Sequence, residues 1–452
     1  MKKSKVYTII LSLFALGFTA CDDNLDVEPE QSLSPEVATS TPANIQTILV
    51  GMYAEARDND SYGGHIALAS ELIANDGHLS WNGTYVQPAE FDEKAILADN
   101  SYVRDIWMNG YQIINQANIV LANLDVFEDE DERAQVEGEA KFLRGLAYFD
   151  LVRLFSMPYE MGANGGELGV PVVLEPVLDA SSIDYPARNT IEEGYSQVLN
   201  DLTDAYSLLP EDNGFYASKY SAQGLLARVY LQRGDYEQAR DAADDVIENS
   251  GFELISDFGA AFNNDENSDE DILAFQVTSQ DASWNAFNEF WGGYDYGGRS
   301  GDPDLSIREE HFSIYDDPND DRAEFFYETD RGIATLKWQS QFANVPFIRL
   351  AEMYLIRAEA NERLGTEVGA TPLEDINTLR ARANATLFDS VDLDEILMER
   401  MRELAFEGFA LFDAKRLGRD IGDIPYNANN LVLPIPLREM DTNEELVQNP
   451  GY

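Results

Sequence analysis

Only three histidines, His65, His78 and His311, and a single cysteine, Cys21, occur in the 452 residues, so side chains that usually move protons or attack carbonyls are scarce. No His-Glu-x-x-His, Gly-x-Ser-x-Gly, Cys-x-x-Cys or phosphate-loop pattern is present. Carboxylates are the opposite case. The 83 Asp and Glu residues could include the two spaced acids of a glycoside hydrolase, an alternative that the sequence leaves open, although most surplus carboxylates are solvated surface. The segment YDDPNDDRAEF, Tyr315 to Phe325, gathers Asp316, Asp317, Asn319, Asp320 and Asp321, hard oxygen donors suited to calcium. It lacks the glycine of an EF-hand loop, and a structural turn with Arg322 neutralising part of the cluster is the expected reading. No cofactor is expected.

Two long stretches rich in turn residues, 73–98 and 278–345, carry a different chemistry. Holding a sugar requires flat apolar faces against the ring C–H surfaces and amide, carboxylate or guanidinium groups for the hydroxyls. ANDGHLSWNGTY supplies Trp81 with Asn75, Asp76, His78 and Asn82; SQDASWNAFNEFWGGYDYGGRSGDPD supplies Trp284, Trp291 and Tyr294 with Asn285 and Arg299. Trp81, Asp76, Asn82, Trp284, Trp291, Tyr294 and Arg299 are therefore the candidate ligand residues. Trp284, Phe287, Trp291 and Tyr294 also keep helical spacing and could form one buried stripe. Trp81 has no periodic apolar partners and is expected exposed on a loop. Trp107 and Trp338 look like core or partner-facing residues.

The beginning of the chain reads as an address. Lys2, Lys3 and Lys5 precede the apolar run Val6 to Phe18, too short to span a bilayer, and Thr19, Ala20 and Cys21 follow in an arrangement that resembles a bacterial lipobox. Residues 1–20 are expected to be a signal peptide and Cys21 the lipidated first residue. No second cysteine exists, so no intrachain disulfide can form. Residues 21–40 are acidic, contain Pro29 and Pro35, and read as an extended tether. The formal charge is −52 for the whole sequence and −55 once three lysines leave with residues 1–20. Such a field excludes nucleic acid and anionic lipid as electrostatic partners, and with only eight lysines against 23 arginines it suggests work in high salt.

The elements that must position these groups are mainly helical. Thr41 and Pro42 form a helix start, and apolar periodicity predicts further helices over about 100–124, 131–155, 189–209, 218–233, 235–249, 347–364, 372–385 and 392–417. Strand-like pieces such as Ile272 to Val277 are few. LARVYLQRGDYEQARDAADDVI, Leu226 to Ile247, places Ala227, Ala239 and Ala243 where two antiparallel helices would approach closely, and RGLAYF repeats the spacing with Gly145 and Tyr148. The expected fold is mainly α, a tetratricopeptide-like helical-pair core (α-solenoid) carrying long irregular insertions. A tetratricopeptide scaffold that binds protein is a second alternative.

VPFIRLAEMYLIRAEANERLG, INTLRARAN, ILMERMRELAFEGFALFDAKRLGR and the ending LPIPLREMDTNEELVQNPGY follow one another in the last third, and EAKFLRGLAYFDLVRLFSMPY stands upstream. In that order they resemble the SusD/RagB family of outer-membrane nutrient-binding lipoproteins. The resemblance implies one compact body with an N-terminal region over 41–270 and a SusD/RagB C-terminal region over 271–452. It also implies surface display through a lipid on Cys21, with Asp22 and Asp23 as an export signal. The implied activity is non-catalytic: a glycan or similar nutrient is held on a loop-built face and handed to a TonB-dependent SusC-like transporter.

Overall fold

The computed structural model describes residues 35–160, 163, 165–179, 183–280, 285–298 and 303–452. Cys21, Trp284 and Arg299 lie outside the described residues. The helices are α1 (Pro42–Arg57), α2 (His65–Ile73), α3 (Val86–Glu93), α4 (Ser101–Ala122), α5 (Glu130–Phe155), α6 (Ile191–Leu208), α7 (Lys219–Arg233), α8 (Tyr236–Asn249), α9 (Ala286–Trp291), α10 (Leu350–Leu364), α11 (Pro372–Arg382), α12 (Leu393–Leu404), α13 (Ala410–Leu417) and α14 (Leu437–Thr442). A short helical turn, Pro35–Ala38, occupies part of the segment expected to be extended tether.

Local chemistry sets the helix starts. Thr41 accepts the Asn44 amide with Pro42 in the first turn, and reciprocal capping boxes pair Thr190 with Glu193, Thr371 with Glu374 and Asp392 with Glu395. The long helices then pack in sequence: α4 on α5, α5 on α6, α6 on α7, α7 on α8, and α8 on α10. Small residues permit this. A Cβ at Gly145 would lie 3.1 Å from the Leu202 side chain, and one at Gly194 would lie 2.7 Å from Val152, so α5 and α6 approach closely where a glycine of one helix receives a side chain of the other. Ala227, Ala239 and Ala243 are all buried between α7 and α8. This is the tetratricopeptide-like arrangement that the spacing predicts.

Two expected helices are broken. The 347–364 pattern begins as β6 (Val345–Arg349), antiparallel to β2 (Asp271–Phe275), and only then becomes α10. The 392–417 pattern splits into α12 and α13 because Phe406 and Gly408 take left-handed backbone, with φ of 65° and 87°. Helix α2 stitches that corner: the Gly408 amide donates to Glu71 (2.8 Å) and the Leu411 amide to Ser70 Oγ (3.1 Å). The insertions hold a second sheet, β1 (Leu79–Trp81), β3 (Leu305–Ile307), β4 (Phe326–Thr329) and β5 (Gly332–Thr335), in the order β1-β3-β5-β4. No helix among the described residues is long and apolar enough to cross a membrane.

Under the corner lies a buried ionic core. Arg322 bonds Asp320 (2.8 Å), Glu399 (2.7 Å) and Glu403 (3.3 Å); Arg349 bonds Glu270 (2.7 Å) and Glu407 (2.8 Å); Arg382 pairs with Glu403; and Lys337 reaches Glu407 (2.7 Å). Burial alone would raise the Glu403 carboxyl, but Arg382, Arg349 and Arg322 outweigh it and hold Glu403 well below the usual carboxylate range. The Asp-rich segment is thus a turn closed from inside: Asp320 accepts the Arg322 amide (3.0 Å), and Asp317 accepts the Asn319 amide (3.0 Å). The ionic core fixes Phe406, whose carbonyl accepts the Trp338 indole N–H (3.1 Å) and whose ring meets Trp291 at 5.0 Å. Through Trp291 the corner positions α9.

Candidate functional site

Helix α9 carries a buried face and ends in a loop whose tip, residues 294–297, is exposed. Phe287 stacks on Trp338 at 4.3 Å, and Trp291 is 2% exposed. Trp291 therefore offers no ring to a ligand, which corrects its place among the candidates. The helical-stripe alternative holds for Phe287 and Trp291, because α9 is short enough to lay both on the core. It fails at Tyr294, which lies past the helix end and is 64% exposed.

The segment GGYDYGG, Gly292 to Gly298, is a closed loop. Gly297 donates to the Tyr294 carbonyl (3.2 Å) and Gly298 to the Gly293 carbonyl (3.1 Å). Gly297 takes φ +87°, and a Cβ on Gly298 would lie 1.9 Å from the Gly292 carbonyl oxygen, so only glycine closes the ring. The loop is also tied down. Fully buried Asn288 donates to the carbonyls of Tyr296 (3.0 Å) and Trp338 (2.9 Å), and the Gly293 amide donates to the Tyr327 hydroxyl (2.6 Å). The outcome is two projecting rings, Tyr294 and, at 43% exposure, Tyr296, whose ring meets Tyr327 edge-on at 5.0 Å. A fixed backbone presenting exposed rings loses little order on binding, which favours a flat apolar ligand face.

Trp81 differs from its expectation. It sits in strand β1 instead of a loop and is half-buried, its ring 6.0 Å from Phe290 of α9 and covered in part by Gly83, with the indole N–H buried and unpartnered. Its apolar neighbour comes from the second insertion, so no local periodicity could reveal it. The same contact joins the two insertions. Asn82 is exposed beside Trp81, its amide donating to Ser306 Oγ (2.7 Å) and its carbonyl accepting from Arg331 (3.4 Å). Arg331 is an exposed cation on this sheet end that the sequence reading missed; Tyr296 and Tyr327 were also missed. The paired glycines around Tyr-Asp-Tyr were the available signal for Tyr296.

The remaining candidates serve the scaffold. Asn75 accepts the Gly77 and Leu79 amides and donates to Asp92, and Asn285 caps α9. Asp76 lies against Gly422, and His78 Nδ1 faces His311 Nδ1 at 3.3 Å. Asp76 and His78 line a largely apolar cavity of about 240 Å³ between α2 and the α12–α13 corner, below the ~300–1,000 Å³ usual for ligand pockets. Burial pushes His311 down to about 3 and Glu71 up to about 7, so at neutral pH the histidine is uncharged. No group of three or more His, Cys, Asp or Glu side chains among the described residues could hold a metal ion.

A family model described as starch-binding, associating with the outer membrane, matches residues 23–231, and the SusD family model matches residues 311–424. SusD-like protein P2 of Formosa agariphila is 26% identical over 524 aligned positions, covering 100% of both chains. The starch-binding protein SusD of Bacteroides thetaiotaomicron is 24% identical, over 76% of this chain and 77% of its own. Two solved structures share the architecture. A SusD superfamily protein from Bacteroides thetaiotaomicron superposes with TM-score 0.83 at 26% identity, over 91% of this chain and all (100%) of that one. A sugar-binding protein from Bacteroides vulgatus, so described on a provisional basis, gives TM-score 0.79 at 28% identity, over 91% and 99%.

Proposed function

Since the chain belongs to the SusD/RagB family, we propose that it is a carbohydrate receptor at the outer membrane that captures an oligosaccharide and passes it to a TonB-dependent SusC-like transporter. The observation that carries the reading is the tied-down loop from which Tyr294 and Tyr296 project. The rings stack on sugar faces, and Asn82 and Arg331 reach hydroxyls. The receptor binds and releases without a chemical step. Relatives described as starch-binding support a glycan as ligand, and the tyrosine loop supports it independently.

Membrane attachment in this reading runs through a lipid on Cys21, with residues 21–40 as the tether. Cys21→Ser is expected to abolish metabolic lipid labelling and release the chain from the outer membrane; labelling that persists would remove the lipoprotein reading. The ligand is tested with a glycan array of the ectodomain in ~2 M sodium chloride, where the Debye length falls below about 3 Å and self-repulsion is screened. Binding of a defined oligosaccharide class, lost in Tyr294→Ala, is the expected result. An array with no bound glycan would contradict it.

A further inference from the structure

The second site lies far along the chain from the tyrosine loop, in the connection between α6 and α7. There residues 211–217 form a loop fixed from beneath. Asn213 accepts from Gln135 (2.8 Å) and donates to Glu139 (3.0 Å) and the Ala217 carbonyl (2.8 Å), while the Ala217 amide donates to the Tyr53 hydroxyl (3.0 Å). The Tyr216 ring rests on Tyr53 at 4.8 Å. On this rigid support Phe215 is 58% exposed and Tyr216 40% exposed. A single exposed ring is ordinary, but these two border a cleft of about 550 Å³, more than twice the 240 Å³ of the cavity beside α2 and inside the ~300–1,000 Å³ range of ligand sites.

The floor of the cleft holds the second, independent observation. Asp271, at the start of β2, is 3% exposed, and its Oδ2 accepts from the Ser268 amide (2.8 Å) and hydroxyl (2.9 Å). Asp271 lines the same cleft, and its buried Oδ1 has no protein partner. A buried acceptor left unbonded is costly, and a donor from a ligand recovers that cost. Burial pushes the Asp271 carboxyl up to about 6, as expected for a charge held with too few donors. Every ionisable carboxylate or basic side chain in the lining is an acid: Glu211, Asp212, Glu253, Asp269 and Asp271. The acids are not grouped to hold a metal. An apolar ring edge, an orphaned acceptor and a uniformly acidic wall together select a flat ligand rich in O–H or N–H donors and reject anions.

We propose that this cleft is a second saccharide-binding site, in which a neutral or amino sugar ring stacks on Phe215 and a hydroxyl donates to Asp271 Oδ1. It rests on the carbohydrate reading above and adds to it a charge selection that the tyrosine loop, with Arg331 nearby, does not impose. Two sites on one chain let a long glycan be gripped twice, raising avidity when its length spans both.

Calorimetry with the neutral oligosaccharide bound most tightly on the array, in ~2 M sodium chloride, tests it. The expected result is two binding events per chain in the unaltered protein, one in Tyr294→Ala, and none when Phe215→Ala is added. Phe215→Trp in the Tyr294→Ala background should keep the remaining event, since a larger ring preserves the face. Circular dichroism confirms that each variant is folded, and uronate or sulfated glycans should show no second event at ~0.15 M sodium chloride, where the Debye length of about 8 Å leaves the acidic wall effective. A single event that vanishes in Tyr294→Ala overturns the cleft and leaves the receptor reading standing. An anionic glycan occupying the cleft overturns its charge selection, and an unaltered protein that binds no glycan overturns both readings.

Discussion

The α12 corner and the tyrosine loop are joined through Phe406 and Trp291, yet they handle polarity in opposite ways. At the corner Arg322, Arg349, Arg382 and Lys337 are buried against Glu270, Glu399, Glu403 and Glu407, so the charge is inside and matched. At the loop the polar groups inside are backbone groups, the Tyr296 carbonyl satisfied by Asn288 and the Gly293 amide by Tyr327, and apolar rings face outward. A buried ion-pair network specifies one arrangement and is costly to break, whereas an exposed ring on a rigid loop can be removed with little effect on folding. The first region should therefore control stability and the second should control binding.

The largest expected effect comes from Arg322→Met. It leaves Asp320, Glu399 and Glu403 buried with less compensation and should cost about 3–5 kcal/mol, read as a drop in the urea midpoint. A cost within ~0.5 kcal/mol would mean that the network carries no stability. Acid should act on the same groups. Glu403 has its folded pKa below its unfolded value near ~4.3, so the stability it contributes is present above that pH and is lost as pH falls through and below it. The midpoint should fall below about pH 4.3, with a shallower slope in Glu403→Gln.

Salt comes next. Because many arginines are spent inside, the net formal charge of −52 lies mostly in surface acids, and the thermal midpoint should rise between ~0.1 and ~2 M sodium chloride by more than for a near-neutral protein of similar size. A flat midpoint would contradict the high-salt reading. The smallest expected change in stability is Gly298→Ala, which forces the loop open at the Gly292 carbonyl yet touches little core. It should weaken glycan binding about tenfold, equal to ~1.4 kcal/mol, while shifting the thermal midpoint far less than Arg322→Met. Binding that survives would show that loop closure does not matter.

The same contrast explains what the sequence disclosed. Helices α4 to α8 were legible to within a few residues because their starts are encoded locally, in Thr190, Ser218 and Asp129, and their faces are periodic. The break between α12 and α13 was hidden, since Phe406 is held left-handed by contacts from Trp338 and Trp291 that lie elsewhere in the chain. The site followed the same rule. Tyr294, a candidate as an aromatic of the second insertion, is exposed, but Trp81 was misjudged because Phe290 covers it, and Trp291 because Phe406 does. Asp76 belongs to the α2 cavity for a similar reason, its neighbour Gly422 arriving from the C-terminal region.

The central claim is that the tyrosine loop holds the sugar and the ionic core only holds the fold. Calorimetric titration of the double variant Tyr294→Ala, Tyr296→Ala with the array-selected oligosaccharide tests it most directly. Stacking contributes about 0.5–1.5 kcal/mol per ring beyond area burial, so the loop-site affinity should fall at least about tenfold with an unchanged thermal midpoint. A folded double variant that binds at that site with unaltered affinity would contradict the account.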